Sequence, residues 1–457
     1  MRRMVHEQLH LVPVSIAHAH ASELEQMSAV LDAMPEVVKW VRDDLIRRTA
    51  KRIDPNKGRE GLTAEQVLRA LVVKQMNGFS YEELAFHLAD SSSYRAFCRL
   101  GIDHRPPKKS TLQKNIKRIR AQTWERINQE LLRYAALKRV ETGRKVRTDC
   151  TVVESNIHHP TDSSLLWDSV RVLVRLQSEA YETFGLRFTD HSRRAKRRAM
   201  GILNAKTESQ RKPLYVDLLR VTHKTILGAE DMASMLDQVK ATDTMKVLQT
   251  AALAYEMRHY VKLTRRVIDQ TQRRVLGGEQ VPAAEKVVSI FEPHTDIIIK
   301  DRRETYYGHK ICLTSGASGL VTDVVIQEGN PADVTLAVQM IERQRDLYGK
   351  PPRQVSFDGG FTSKKNLTDL KALGVEDVAF SKRGGLSITE MVKSSWVYRR
   401  LRNFRAGVEG VISFLKRGFG LGRCNWSGFN SFKAYVCGSV VACNLLVLAR
   451  HLLAAPA

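Results

Sequence analysis

The chain has 457 residues, of which 43% are hydrophobic, and its 73 Lys and Arg outnumber its 49 Asp and Glu to give a formal net charge of +24. Length and composition exclude a disordered or fibrous protein and allow two to four folding units. Because the positive charge exceeds what solubility requires, it favours a polyanionic partner such as nucleic acid, bound in a salt-sensitive way. The alternatives are a basic ribosomal protein and a membrane-surface protein.

Three sequence features bear on the cellular compartment. Six cysteines are scattered without a C-x-x-C pair, which predicts neither a zinc ribbon nor a disulfide framework and fits a reducing cytoplasm. Residues 1–20 lack the uninterrupted apolar core of an export signal. The longest apolar stretch, from Ala434 through Ala449, contains Asn444 and is followed by Arg450. It is short for a membrane span and predicts a buried C-terminal helix.

The N-terminal part, residues 1–140, is predicted to be all-helical. From Glu23 to about Leu137 the apolar residues recur at the three-to-four spacing of short amphipathic helices. Thr63 and Ser80 each precede a Gln or Glu three residues later, which is the spacing of a capping box, and Gly78 follows the intervening helix. The segment therefore predicts several helices joined by tight turns.

A basic run lies in this helical part, from Arg105 to Arg120, and includes Lys108 and Lys109. A helical bundle can present one helix to a DNA groove while neighbouring cations contact phosphates. We therefore interpret residues 1–140 as a DNA-binding or dimerisation domain. Plain helical packing is the alternative.

A different domain, residues 141–457, begins near Arg144. The string KVRTDCTVVESNI is β-branched and alternating, which predicts a strand. Helical periodicity then returns over about residues 163–276, so we expect a helical insertion after the first strand. The insertion contains a cationic cluster formed by Arg193, Arg194, Lys196, Arg197 and Arg198. This cluster is either a DNA clamp or a solvated face.

Strands are predicted to resume at about Lys286. The string VVSIFE is the first, and HKICLTSGASGLVTDVVIQE predicts a hairpin around its Ser-Gly-rich turn. A helix over Ala332–Leu347, the strand RQVSFDGGF, a helix over Ser363–Leu373, the strand EDVAFSK and further helices follow. This order predicts a mixed α/β domain that is split by its helical insertion.

Three carboxylates in this domain have the setting of a metal-dependent site for phosphodiester cleavage. Asp149 lies in the first strand, and Asp358 ends the QVSF strand before two glycines that would let the chain turn sharply and approach a ligand. Glu409 lies on a helix, with Arg405 one turn before it and Lys416 two turns after. Three carboxylates from separate elements can hold two magnesium ions about 4 Å apart.

Each of these signals has a simpler explanation when taken alone. An Asp on a strand is usually a turn or edge residue, and an Arg and Glu four apart on a helix usually form a solvated ion pair. Their order and basic surroundings favour the joint interpretation. Other acids compete for the metal role, namely Glu154, Asp162, Asp323 and Asp333. Three histidines, His158, His159 and His309, are interpreted as exposed, with a DNA contact open to His309.

These residues resemble the bacterial insertion-sequence DDE transposases. The family's second-acid motif, Asp followed by a small residue and an aromatic, is similar to the DGGF string beginning at Asp358, with one extra Gly. Its third motif, Tyr-(2)-Arg-(3)-Glu-(6)-Lys, is matched by Arg405, Glu409 and Lys416, with Arg402 at the Tyr position. The strings RTDCTVVESNI and GLTAEQVLRALVVKQMNGFSYEELAFHLAD also resemble family segments.

The resemblance implies an RNase H-like catalytic domain that binds two Mg²⁺ or Mn²⁺ ions through Asp149, Asp358 and Glu409. It implies an enzyme that binds terminal inverted repeats, hydrolyses the DNA strands there and joins the 3′ hydroxyls to target DNA, as a homodimer or higher assembly. Phosphates would contact Arg402, Arg405 and Lys416. The alternatives are a decayed or domesticated DNA-binding regulator and an RNase H-like nuclease without strand transfer.

Overall fold

The computed structural model describes residue 4 and residues 18–47, 61–101, 104–239, 243–300 and 304–455. Most of the N-terminal segment that was considered as an export signal lies outside these residues. The chain divides into two compact units. The first comprises Met1–Glu154 and His309–Ala457, and the second comprises Ser155–Gly308.

The N-terminal part is helical, as predicted. Its helices are α1 (Ala19–Asp32), α2 (Pro35–Ile46), α3 (Ala64–Asn77), α4 (Tyr81–Asp90), α5 (Ser92–Phe97), α6 (Lys109–Ile116) and α7 (Ala121–Leu137). Both predicted capping boxes are confirmed, at Thr63 before α3 and at Ser80 before α4. Gly78 ends α3 in the left-handed conformation with φ 67°. Glycine adopts this conformation readily because it has no Cβ.

The C-terminal helix α16 (Phe429–Ala454) is buried against this bundle, as predicted. Among the described residues it is the one helix long and apolar enough to span a membrane, yet 72% of its most apolar window lies inside the protein. Asn444, the polar break in that stretch, donates to Asn128 Oδ1 at 2.7 Å and exchanges hydrogen bonds with the backbone of Val321 at 2.8 Å. The buried amide is thus fully used in joining α16 to neighbouring elements.

A mixed six-stranded sheet follows the bundle. Its strands are β1 (Lys145–Glu154), β2 (Asp296–Lys300), β3 (Glu304–Gly316), β4 (Val321–Ile326), β5 (Gln354–Phe357) and β6 (Asp377–Phe380), in the order β2-β3-β1-β5-β6 with β4 paired to β3. The pairs β1–β5 and β5–β6 are parallel. The predicted hairpin is confirmed as the antiparallel pair β3–β4.

The prediction that VVSIFE is a strand was wrong, since none of residues 287–292 belongs to a strand. The backbone N–H of Val287 donates to the Gln270 side chain at 2.8 Å, and the Ser289 hydroxyl accepts from the N–H groups of Phe291 and Glu292. These contacts use the donors that a ladder would need. Val287 and Ile290 are instead buried among helices of the second unit.

Further helices of the first unit contact the sheet, namely α12 (Ala337–Tyr348), α13 (Lys364–Ala372), α14 (Ile388–Met391) and α15 (Ser395–Gly418). The predicted helix from Ala332 begins as a 3₁₀ turn over Asp333–Thr335 before α12. The long helix α15 contacts β1, β5 and β6. It therefore crosses the middle of the parallel part of the sheet.

The second unit contains four long helices that pack on one another. They are α8 (Asp162–Phe184), α9 (Ser192–Asn204), α10 (Glu208–Gln238) and α11 (Thr244–Thr271), followed by a π-helical turn over Gln272–Leu276. Helical periodicity was predicted over this region. Its core is formed by apolar side chains such as Leu166, Leu173, Leu218 and Val267.

Candidate active site

The two aspartates of the predicted triad lie side by side on parallel strands. The register of β1 and β5 pairs Thr148 with Phe357, and Asp149 and Asp358 each come directly after one member of that pair. Neighbouring parallel strands present equivalent positions at the same level of the sheet. The register thus brings together two acids that are far apart in the sequence.

Helix α15 brings the third acid and a cation to the same place. Arg405 Nη2 lies 3.1 Å from Asp149 Oδ2 and 3.1 Å from Asp358 Oδ1. Its other terminal nitrogen, Nη1, lies 2.9 Å from Glu409 Oε1. The predicted site residues Asp149, Asp358, Glu409 and Arg405 therefore form one cluster, in which a single guanidinium contacts all three carboxylates.

Arg147, which sequence reasoning missed, fastens α15 to β1. Its Nη1 donates to the Phe404 carbonyl at 2.8 Å and its Nε donates to Ser315 Oγ at 3.0 Å. A Cβ at Gly407 would collide with Arg147 Nη1, so the guanidinium fits only because this helix position has no side chain. A glycine in a helix interior destabilises the helix by about 1 kcal/mol relative to Ala. A glycine inside the predicted helix was therefore the sequence signal that could have indicated a close contact at position 407.

Ser381 is a second residue that sequence reasoning missed. Its hydroxyl donates to Asp358 Oδ1 at 2.8 Å. It directly follows β6, which runs parallel to β5, so the ends of the two strands place Ser381 beside Asp358. The sequence signal was a hydroxyl at the end of the predicted strand EDVAFSK.

The surroundings of Asp358 favour its ionised form. Burial by itself raises the carboxyl pKa, but hydrogen bonds from the Gly359 N–H and the Ser381 hydroxyl lower it. The positive charges of Arg405 and Lys382 act in the same direction, and the net pKa is below the ordinary value. Asp358 is therefore a carboxylate at neutral pH.

The chain turns directly after Asp358, in a 3₁₀ turn over Gly359–Phe361. Neither Gly359 nor Gly360 has a positive φ, so the turn itself does not require glycine. A Cβ at Gly359 would lie 2.8 Å from Lys382 Cγ, and one at Gly360 would lie 2.9 Å from Asp333 Oδ2. The absent side chains make room for neighbouring side chains of the same unit.

Three of the four competing acids form ion pairs elsewhere. Asp333 pairs with Lys310 at 2.5 Å, Asp323 pairs with Arg343 at 2.5 Å, and Asp162 pairs with Arg274 at 3.0 Å. Glu154 forms an isolated backbone bridge with Arg423. Among the described residues, no three His, Cys, Asp or Glu side chains are grouped closely enough to hold a metal ion as they are placed.

The expectation of an exposed His309 was wrong, because this side chain is 1% exposed. Its ring packs 4.8 Å from both Phe429 and Phe432, measured between ring centroids. The buried ring is not available to DNA. Trp426 is also buried, at 1% exposure.

The cations predicted to bind DNA from the first unit lie on α6 and α15. Lys108 and Lys109 are exposed at the start of α6, and Lys109 pairs with Glu82 at 2.9 Å. Arg402 is exposed on α15, with its guanidinium 6.0 Å from the centre of the Tyr398 ring. Lys416 is half-buried near the end of the same helix.

The cationic cluster of the second unit lies on α9. Arg193, Arg194 and Arg197 are exposed. Arg194 pairs with Asp217 of α10 at 2.6 Å, and Arg198 pairs with the same carboxylate at 2.6 Å. In the described part of the chain no ion pair is found for Arg193, Lys196 or Arg197, which leaves three exposed cations on this helix.

Two segments of the chain match known families. Residues 264–445 match a family described as Transposase DDE domain, and residues 19–118 match one described as Transposase domain (DUF772). Asp358 and Glu409 fall inside the first match and Asp149 lies before it. No curated protein and no solved structure matches the chain.

These matches agree with the architecture. A helical region is followed by a domain with a mixed six-stranded sheet, which is the predicted RNase H-like α/β fold. Both matched families are families of transposase domains, and they cover separate parts of the sequence. Together the two matches support an insertion-sequence DDE transposase.

Proposed function

We propose that this transposase binds the terminal inverted repeats of its element, hydrolyses phosphodiester bonds at the ends and transfers the 3′ hydroxyls to target DNA. Asp149, Asp358 and Glu409 are its catalytic carboxylates. One observation supports the assignment above all: the three acids come from two strands and a helix, and all three contact the guanidinium of Arg405.

The chemistry of the cluster fits divalent metal. DDE transposases generally use divalent ions, and carboxylate oxygens are the ligands that Mg²⁺ and Mn²⁺ prefer. The three carboxylates already surround one cationic group, and Asp149, Asp358 and Glu409 would hold the ions in place of it. When bound, two ions lower the pKa of an attacking water or hydroxyl and stabilise the charge on the leaving oxygen.

Other residues of this chain prepare the cluster. The Ser381 hydroxyl and the Gly359 N–H keep Asp358 ionised. Arg147 holds α15 against β1 through the Phe404 carbonyl, and so fixes the helix that contains Glu409. A site held by such contacts loses little free energy to reorganisation during the reaction.

The exposed cations would bind the DNA backbone without reading its sequence. In the first unit the exposed cations are Lys108, Lys109 and Arg402. The partly buried Arg405 and Lys416 would contact phosphates at the site itself. In the second unit Arg193, Arg194 and Arg197 would form a clamp for phosphates. Because two ends of an element must be processed together, we propose a homodimer or a higher assembly on DNA.

Incubation of the purified protein with Mg²⁺ or Mn²⁺ and a labelled DNA fragment that carries the terminal repeat tests the proposal. Asp358→Ala is the control. We expect cleavage at the repeat boundary and joining of the labelled 3′ end to a target plasmid, both absent in the control. Cleavage without joining would indicate a nuclease, and binding without cleavage by either protein would indicate a DNA-binding regulator.

A further inference from the structure

Arg405 contacts carboxylate oxygens that a metal ion would also need. Its Nη2 lies 3.1 Å from Asp149 Oδ2 and 3.1 Å from Asp358 Oδ1. The other oxygen of Asp149, Oδ1, accepts a hydrogen bond from the Cys150 N–H at 2.8 Å, so Oδ2 is the Asp149 oxygen that remains for a metal ion. The guanidinium and a divalent ion would therefore compete for Asp149 Oδ2.

We propose that Arg405 is a displaceable counter-cation. It occupies the carboxylate cluster of the free protein and moves to a DNA phosphate, so that divalent metal and DNA bind cooperatively. This inference rests on the proposed function, since it takes the same carboxylates as metal ligands. An arginine stays protonated in a protein, so the cluster can be vacated only by movement of the side chain.

Two of the three contacts of Arg405 favour this exchange. The side chain of Glu409 is 66% exposed and that of Asp358 is 40% exposed, and ion pairs that face solvent are weak. The contact with Asp149, whose side chain is 14% exposed, is the one that the exchange must chiefly overcome. Arg405 Nε is buried and has no hydrogen-bond partner in the described structure, so Nη1 and Nη2 hold the group in place. A phosphate can accept from this planar fork through two oxygens, which gives a strong charge-assisted pair.

Cooperativity follows from this competition. In the free protein a metal ion must displace Arg405 from three carboxylates before it binds, which lowers the apparent affinity for metal. When a DNA phosphate already binds Arg405, the metal ion no longer has to displace the guanidinium, and the affinity for metal rises. Thermodynamic linkage requires that metal raise the affinity for DNA by the same factor as DNA raises the affinity for metal.

Binding of Mn²⁺ to the full-length protein, measured by calorimetry without DNA, tests the competition. Arg405→Ala is compared with wild type and with Arg400→Ala, which removes one positive charge from the same helix. Arg400 lies 4.5 Å from the centre of the Trp396 ring. We expect Arg405→Ala to bind Mn²⁺ about tenfold more tightly than either of the other proteins, within the usual range of coupling factors.

Equal Mn²⁺ affinity in Arg405→Ala and Arg400→Ala would overturn the proposal. If Arg405→Ala fails to fold, Arg405→Lys replaces it in the same Mn²⁺ binding measurement. A lysine keeps the charge but lacks the planar fork that contacts three carboxylates at once, so it should also bind Mn²⁺ more tightly than wild type. An unchanged affinity in that variant would equally overturn the proposal.

The coupling is tested with a fluorescent duplex that lacks the terminal repeat, at constant ionic strength. Mn²⁺ should raise the duplex affinity of the wild type by about fivefold or more and that of Arg405→Ala by less than about twofold. The same increase in both proteins contradicts the inference. If Asp358→Ala loses Mn²⁺ binding while Arg405→Ala has no effect, the role of Arg405 is contradicted and the proposed function stands. If Asp358→Ala binds Mn²⁺ like the wild type, the proposed metal site is contradicted as well.

Discussion

The acid cluster around Arg405 and the basic helix α9 both concentrate charge, but their charges are compensated in different ways. In the acid cluster, Asp149, Asp358 and Glu409 are brought together by β1, β5 and α15 and share one guanidinium. Each partner is supplied by a different element of the fold. The balance of charge therefore depends on the sheet register and on the crossing of α15.

Helix α9 concentrates its charge locally. Five cations lie within the six residues 193–198, and the one carboxylate of Asp217 pairs with Arg194 and Arg198. The surplus is a property of one helix face. It does not depend on strands or on partners from distant parts of the chain.

The difference indicates how each region responds to substitution. The acid cluster takes one carboxylate from each of three distant elements, so removal of any one carboxylate should abolish the proposed metal chemistry. A surplus of exposed cations contributes in small and nearly additive steps through the neutralisation of phosphates. We therefore expect large, all-or-none effects in the first region and graded, salt-dependent effects in the second.

The largest effect is expected for the acids. Asp149→Asn and Glu409→Gln keep the shape of the side chain but remove its charge, so cleavage of a terminal-repeat fragment should fall by about 10³-fold or more, as when a preorganised charge-stabilising group is lost. Binding of DNA, measured by anisotropy, should persist. Asp323→Asn is the control, since Asp323 pairs with Arg343 instead. Full cleavage by Asp149→Asn or Glu409→Gln would contradict the all-or-none response expected of the acid cluster.

A smaller effect is expected for Gly407→Ala. The added Cβ collides with Arg147 Nη1 and would displace the guanidinium from the Phe404 carbonyl. Because α15 is then held less firmly, we expect cleavage to fall by about tenfold and the free energy of unfolding to fall by about 1 kcal/mol through the lost hydrogen bond. On the same helix, a Cβ at Gly410 meets nothing within 4 Å. Gly410→Ala should stabilise the protein by up to about 1 kcal/mol with normal cleavage. Thermal unfolding and cleavage assays distinguish the pair, and equal behaviour would contradict the role of Arg147.

The basic helix should give a moderate effect that depends on salt. Replacing Arg193 and Arg197 together by Ala should weaken duplex binding by roughly tenfold at 0.15 M salt and reduce the slope of log K against log salt by about 2. Cleavage at saturating DNA should be unchanged. Arg265→Ala is the matched control, because Arg265 is an exposed arginine of the same unit that pairs with Glu230 at 2.7 Å. An unaltered slope in the double variant would identify α9 as a solvated face.

The smallest effect is expected for Ser381→Ala. The Ser381 hydroxyl contributes to lowering the pKa of Asp358, so its loss should raise that pKa towards the ordinary value. Because the carboxylate is the form proposed to bind metal, the acid limb of the cleavage profile should move to higher pH by a fraction of a unit. Stabilisation by the ionised Asp358 is present above its unfolded pKa and is lost as pH falls through the lower folded pKa. An unshifted acid limb would exclude Ser381 from this role.

Much of the local structure was predictable from near neighbours in the chain. The capping boxes at Thr63 and Ser80, the hairpin β3–β4 and the buried C-terminal helix follow from spacing and periodicity that a few residues define. The strand prediction for VVSIFE failed because Gln270, which is distant in sequence, takes the N–H of Val287. Burial of His309 between two phenylalanines was equally beyond local reasoning.

The sequence by itself determined the order of the acids, their placement on predicted strands and a helix, and the charge of α9, because each depends on residue type and short-range periodicity. The tertiary structure alone decided that one arginine contacts Asp149, Asp358 and Glu409, that Ser381 reaches Asp358, and that Arg147 needs a glycine at position 407. These contacts join residues far apart in the chain. They depend on the parallel register of β1, β5 and β6 and on the crossing of α15, which no local pattern specifies.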